Sequence, residues 1–200
     1  TIIGGSGFLG RHIVRALAKR GYRIRAACRR PDLAGHLQPL GVPGQVMPVQ
    51  ANVRYPASLA AACDGAYAVI NLTGVLYSAG AQSFDAIHAF GAEASAKAAR
   101  AARARVFIQM SAIGADPGSS AAYARSKAEG EARAARDRIR RGQPRALERD
   151  PQGFDLATQI RVLDHFSHRL AESVQDLDGV AEIEQDGFLD AWLDFRDHLR

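Results

Sequence analysis

The chain has 200 residues, 47% of them hydrophobic, enough for one buried core and too apolar for an intrinsically disordered chain. Its formal charge of +5 invites nucleic acid as a partner. Lys and Arg, however, are scattered along amphipathic helical patterns with no aromatic-rich basic cluster, so the charge reads as a solvated basic face and no nucleic acid is expected.

The two cysteines, Cys28 and Cys63, lie in apolar surroundings without a paired spacing, which fits core residues in a reducing compartment. No apolar run approaches the roughly 20 residues of a membrane span, and no segment resembles a signal peptide, so a cytoplasmic protein without a transmembrane segment is expected. Thr1 is not an initiator methionine and the run 1–3 is short for a strand, which puts the expected start a few residues upstream.

In chain order, apolar strand-like runs at 1–4, 22–28, 45–51, 66–72 and 105–111 alternate with helix-like runs, the pattern that makes a parallel sheet covered by helices. The first helix is predicted from Gly7 to Arg20, with Leu9, Ile13, Val14 and Leu17 on one face and Gly21 as its stop. Pro48 does not suit a central strand. In the doubly wound order 3-2-1-4-5, however, the third strand is the sheet edge, where proline is tolerated. Residues 83–103 are alanine-rich and read as a helix, because Ala has the highest helix propensity and Phe84, Ile87 and Phe90 supply an apolar side. A further helix is predicted from Tyr123 to about residue 140.

Beyond that point the charge changes sign. Of 26 Lys+Arg and 21 Asp+Glu, residues 1–150 carry 22 and 10, and residues 151–200 carry 4 and 11. The predicted fold is therefore α/β: a doubly wound parallel-sheet Rossmann domain over 1–136, incomplete at its C-terminal side, a linker over 137–154 and a mainly helical acidic tail over 155–200. In the tail, Leu156, Ile160, Leu163, Leu170, Val174 and Leu177 form one helical stripe, and Phe188, Leu189, Trp192, Leu193 and Leu199 a shorter one, with a break near Gly179.

Gly4, Gly5, Ser6, Gly7, Phe8, Leu9 and Gly10 satisfy G-x-G-x-x-G between a strand fragment and an amphipathic helix. In that context the glycines allow a tight turn and a close backbone approach to a dinucleotide pyrophosphate, which sits at the free N–H groups and positive dipole end of the helix. The plainer alternative is a turn used only for packing. Where an Asp or Glu would meet the ribose hydroxyl of NAD(H), Arg29 and Arg30 follow Cys28. A guanidinium suits a 2′-phosphate, so NADP(H) is expected in preference to NAD(H), against the alternative of two surface arginines.

Ser111 ends the fifth apolar run, and Tyr123 and Lys127 in YARSK stand one helical turn apart on one face. An ammonium beside a tyrosine favours the phenolate, lowering a pKa otherwise near 10, and Ser111 would hydrogen-bond a reacting oxygen. Tyr-x-x-x-Lys alone is common by chance; the upstream serine and the glycine turn are what single it out. His165 and His168, three apart on a predicted helix, lack a further ligand cluster, so no metal site is expected.

GGSGFLG, NLTG at 71–74, MSAIGAD at 110–116 and YARSKAEGE at 123–131 resemble the extended or atypical short-chain dehydrogenase/reductase superfamily. Within it, residues 1–136 are most similar to the accessory Rossmann subunit of respiratory complex I and its alphaproteobacterial relatives. The resemblance implies a tightly held NADPH, contacts from Leu72, Thr73 and Gly74, and cofactor contacts from Tyr123 and Lys127. It also implies a role in assembly or stability of the respiratory complex at the cytoplasmic face of the inner membrane, without turnover.

Three positions depart from the family pattern. Asn52 stands where an Asp touches adenine, His88 replaces a relay asparagine, and the sixth strand with its Arg-Pro loop gives way to the arginine-rich linker and the tail. The alternative function is an NADP-dependent reductase or nucleotide-sugar epimerase/dehydratase with Tyr123 as general acid/base, Lys127 tuning it and Ser111 orienting the carbonyl.

Overall fold

The computed structural model of the chain describes residues 1–136; the predicted linker, both tail stripes and His165 and His168 lie outside the described residues. Five parallel strands, β1 (Ile2–Ile3), β2 (Ile24–Cys28), β3 (Val46–Gln50), β4 (Ala68–Asn71) and β5 (Val106–Gln109), form one sheet in the order β3-β2-β1-β4-β5. This is the predicted doubly wound order. The register pairs Ile2 with Ala26 on one side and with Ile70 on the other. Pro48 pairs with Ala26 on β3, the sheet edge, so its missing N–H costs the ladder nothing on the open side.

Successive strand residues face opposite sides and feed two cores. Ile2, Ala26 and Ile70 pack with Val14, Ala18, Leu37 and Val46, whereas Ile3, Ala27 and Val69 pack with Leu59, Cys63, Ile87 and Phe107. Helix α1 (Phe8–Lys19) begins one residue later than predicted, with Gly7 as its cap, and presents Val14 and Ala18, flanked by Ile13 and Leu17, to the first core.

Between β2 and β3 the chain forms two 3-10 turns, Pro31–Leu33 and Gly35–Leu40, in place of a long helix, because Pro31, Gly35, Pro39 and Gly41 interrupt any longer one. Helix α2 (Pro56–Cys63) leads into β4.

The alanine-rich run is helical but not uniform. A π-turn, Asp85–Ala89, runs directly into α3 (Phe90–Ala101). The small residues of α3 are buried nearly all round, with Ala92, Ser95 and Ala99 at 0% exposure, because α3 lies between α2, α4 (Ala122–Arg136) and the sheet. Small side chains let these layers come close: a Cβ on Gly91 would stand 3.0 Å from Val53. Among the described residues no helix is long and apolar enough to cross a membrane.

Candidate functional site: a dinucleotide cradle at the carboxyl end of the sheet

The strand order reverses between β2-β1 and β1-β4, and the loops leaving β1, β4 and β5 meet at that switch point. After β1, Gly4 adopts a left-handed φ of +83°, which an L side chain resists. Gly10, in the first turn of α1, is pressed so closely onto this turn that a Cβ there would lie 2.5 Å from the carbonyl oxygens of both Gly4 and Gly5. A Cβ on Gly5 would lie 3.1 Å from Ala26 Cα.

Helix α1 thus aims its first-turn amides, those of Phe8, Leu9 and Gly10, at the loop mouth beside Ser6. These amides have no partner within a helix, and no acidic residue occupies its first turn. The cradle fits a dinucleotide pyrophosphate: its walls are backbone where a Cβ would intrude, and its chemistry is that of an anion site. Phe8 stands exposed at its rim, with its ring 5.2 Å from the Arg11 guanidinium and 5.4 Å from His12.

The second wall comes from the end of β4. Asn71 is fully buried; its Nδ2 donates to Gln109 Oε1 at 2.8 Å, and its Oδ1 accepts from Thr73 N at 3.2 Å and from Thr73 Oγ1 at 2.7 Å. This polar knot shapes the Leu72-Thr73-Gly74 turn and lays it against the glycine turn, where a Cβ on Gly4 would be 3.4 Å from Thr73 N.

Helix α4 supplies the third wall. Tyr123 and Lys127 share one face, with Lys127 Nζ 5.9 Å from the Tyr123 ring centre. Lys127 is 6% exposed and lies beside Gly74, whose absent Cβ would be 3.2 Å from Nζ. Burial pulls the Lys127 ammonium down to about 8, opposed by the Glu131 carboxylate.

The expected activation of Tyr123 is not present in this arrangement: burial pushes its hydroxyl above the ordinary value. The Lys127 ammonium stands 5.9 Å from the ring centre, and desolvation of the phenolate is the cause of the rise. The Tyr123 ring instead meets His88 at 5.3 Å and Phe84 at 5.8 Å, both edge-on.

His88 takes a position set by the π-turn, a helical irregularity frequent at functional sites. Its Nε2 accepts from Val75 N at 2.9 Å, so Nδ1 carries the hydrogen and donates to Ser126 Oγ at 2.8 Å, while that hydroxyl donates to the Tyr123 carbonyl at 2.7 Å. Burial, with Lys127 nearby, holds the imidazole down to about 4, so it is neutral near pH 7. Both ring nitrogens are spent on tying the β4 loop to α4.

Ser111, just beyond β5, donates its hydroxyl to Glu131 Oε1. Glu131 was not singled out in the sequence, although it follows Lys127 and Tyr123 at i+4 and i+8 on the same helix face, a periodic signal that was present.

At the far end of the groove, Arg30 is held by its own neighbour Asp32, with contacts of 2.7 to 3.2 Å, and Arg29 Nη1 donates to Gln82 Oε1 at 2.8 Å. Asn52, after β3, accepts from Arg54 N at 3.1 Å in a local turn. The glycine turn, residues 72–74, Lys127 and Tyr123 are therefore brought together at the switch point, Ser111 is turned towards Glu131, and Arg29 and Asn52 stand just beyond the ends of β2 and β3. Among the described residues no three His, Cys, Asp or Glu side chains cluster as metal ligands.

Comparison with known proteins agrees with this geometry. Residues 4–165 match the NAD(P)H-binding family, a match that runs past Arg136 into the predicted linker and tail. The chain is 38% identical over 147 residues to a ceramide reductase of Caulobacter vibrioides, covering 74% of this chain and 43% of that protein. It is 32% identical over 169 residues to the mitochondrial NADH dehydrogenase (ubiquinone) 1 alpha subcomplex subunit 9 of Arabidopsis thaliana, covering 84% of this chain and 40% of that one. The chain thus spans less than half the length of these two relatives.

Among solved structures, an NADPH-dependent quinone oxidoreductase of Escherichia coli complexed with NADPH superposes with a TM-score of 0.55 at 25% identity, over 68% of this chain and 44% of that one. With a Rossmann sheet, a glycine cradle and a family match across residues 4–165, the chain belongs to the NAD(P)H-binding family.

Proposed function

We propose that the chain holds NADP(H), in preference to NAD(H), as an accessory subunit of a respiratory NADH:quinone oxidoreductase, peripheral on the cytoplasmic face of the inner membrane and without turnover of its own. The observation that carries this reading is the bond from Ser111 to Glu131: the hydroxyl that would orient a carbonyl is committed to a carboxylate. Two further features support it. Tyr123 has its hydroxyl pushed up by burial, and His88 has both nitrogens engaged and cannot pass a proton to Lys127. The named relative in Arabidopsis is itself a subunit of NADH dehydrogenase.

Gly4, Gly5, Ser6, Gly7, Phe8, Leu9 and Gly10 would hold the pyrophosphate, Asn52 the adenine, Arg29 the 2′-phosphate, and Leu72, Thr73, Gly74, Tyr123 and Lys127 the nicotinamide riboside. When bound, the nicotinamide supplies hydride chemistry.

A second reading is an NADP-dependent reductase or epimerase/dehydratase. It is favoured by Tyr123 and Lys127 sharing a face at the mouth of the groove and by the likeness to a protein named ceramide reductase. In that reading Tyr123 is the general acid/base, and Ser111 must first leave Glu131 to meet a carbonyl oxygen.

One preparation separates the two. The chain purified without added nucleotide retains NADPH through gel filtration and does not oxidise it when aliphatic and aromatic aldehydes and ketones are added. Steady oxidation with any of these carbonyls overturns the subunit reading in favour of the enzyme.

A further inference from the structure

Two arginines that are distant in sequence converge on one short turn. Strands β2 and β3 are neighbours whose last residues, Cys28 and Gln50, are paired, so the segments that follow leave the sheet side by side. Arg29 Nη1 reaches Gln82 Oε1 at 2.8 Å, and Arg54 Nη1 reaches the carbonyl oxygen of the adjacent Ala81 at 3.3 Å. The turn that receives them is closed by reciprocal backbone bonds between Ala79 and Gln82, with Gly80 at a left-handed φ of +52°.

Two like charges are thus gathered at adjacent neutral oxygens. Among the described residues neither Arg29 nor Arg54 is in an ion pair, whereas Arg30, next in sequence, is neutralised by Asp32 at 2.7 Å. Paired guanidinium forks facing only neutral acceptors match a phosphomonoester dianion, which offers three charged oxygens at once. The amide oxygen of Gln82 and the carbonyl oxygen of Ala81 stand where phosphate oxygens would be accepted.

The position has a second support. Arg54 lies in the turn closed by Asn52, since its backbone N–H donates to Asn52 Oδ1. Adenine and 2′-phosphate hang from neighbouring carbons of one ribose, so a residue touching adenine and a residue touching that phosphate must be neighbours too.

We infer that Arg29 and Arg54 together form a clamp for the 2′-phosphate of NADP(H), with Arg54 a specificity-determining residue and Arg30 outside the clamp. The inference rests on the reading that the chain prefers NADP(H). On binding, the guanidiniums exchange their bonds to Ala81 and Gln82 for bonds to phosphate oxygens.

Fluorescence titrations of the full chain with NADPH and with NADH, for the wild type, Arg54→Gln, Arg29→Gln and Arg30→Gln, test it. Loss of one charge-assisted pair predicts NADPH binding weaker by about 10- to 100-fold in Arg54→Gln and in Arg29→Gln, with NADH binding held within about 2-fold. The retained NADH binding reports that the fold is intact. An Arg54→Gln chain that keeps its NADPH affinity, that loses NADPH and NADH alike, or that loses less than Arg30→Gln overturns the clamp while leaving the cofactor preference standing. A wild-type chain that binds the two cofactors equally overturns preference and clamp together.

Discussion

The Nε2 atom of His88 accepts the backbone hydrogen of Val75 at 2.9 Å, so a side chain in a π-turn fixes the loop that leaves β4. Because Nδ1 faces Ser126 on α4, this one imidazole joins two of the three walls of the cradle. It can do so only while neutral, since a protonated ring has no lone pair for Val75.

That requirement has a pH consequence. With His88 held to about 4 in the folded chain against 6.5 unfolded, the unfolded state binds the extra proton between these values. The contribution is complete above pH 6.5 and is lost as pH falls towards 4, a change on the order of 3 kcal/mol. Urea denaturation at pH 7 and pH 4.5 measures it. In His88→Gln the chain is less stable at pH 7, and the step between the two pH values shrinks; an undiminished step assigns the acid sensitivity to other groups.

Gly130 on α4 faces the carbonyl oxygen of His88 with no room for a Cβ. Alanine gains about 1 kcal/mol in helix propensity, but overpacking backbone against backbone costs about 1–3 kcal/mol, and a carbonyl within the π-turn has little freedom to yield. Gly130→Ala is therefore expected to lower the urea midpoint. A raised midpoint would mean that α4 can slide without penalty.

At the first wall, Gly10→Ala places a methyl group 2.5 Å from two carbonyl oxygens. Relief requires α1 to back away from the glycine turn, which removes its first-turn amides from the pyrophosphate position. Stability falls by about 1–3 kcal/mol, and saturable NADPH fluorescence enhancement disappears. Binding of wild-type strength in this variant would show that the cradle does not hold the pyrophosphate.

Lys127 predicts a second pH effect. Its ammonium, held to about 8 by burial against a usual 10.5, is lost from the folded chain as pH rises through 8. Between those values the unfolded state carries more protons, so this group's contribution to stability rises with pH. NADPH affinity moves the other way, because the donor beside Gly74 loses its charge. Titrations at pH 7 and pH 9 give weaker binding at the higher pH, and Lys127→Met flattens the difference.

Glu131 sets where that loss occurs. Its carboxylate opposes the desolvation of Lys127 and also receives the Ser111 hydroxyl. Glu131→Gln removes the charge but keeps an acceptor, so the fall in NADPH affinity moves to lower pH while Ser111 stays engaged. An unmoved profile would separate Glu131 from Lys127 energetically.

The strand segments, the start of α1 to within one residue and the shared face of Tyr123 and Lys127 were legible in the chain because each depends on spacing within a short segment: alternation for strands, three- and four-residue steps for helices, and glycines where a turn must be tight. The sheet order followed from the doubly wound class that the alternation of strand-like and helix-like runs implies. Pro48 is consistent with that order, which puts its strand at the sheet edge, where a proline need not serve a two-sided ladder. The π-turn was not legible, since Asp85–Ala89 has the composition of an ordinary helix and departs from one only where it packs against α4.

The pairings that give the site its character lie between segments remote in sequence. Ser111 finds Glu131, His88 finds Val75 and Ser126, and Arg29 and Arg54 find the 79–82 turn because β2, β3, β4 and β5 end at the same edge of the sheet and α4 folds back across it. Local periodicity specifies which face of a helix a residue occupies. Which side chain it meets there depends on how the layers stack, and here Gly10 and Gly130 let neighbouring segments approach to backbone distance, while Gly91 makes room for the Val53 side chain.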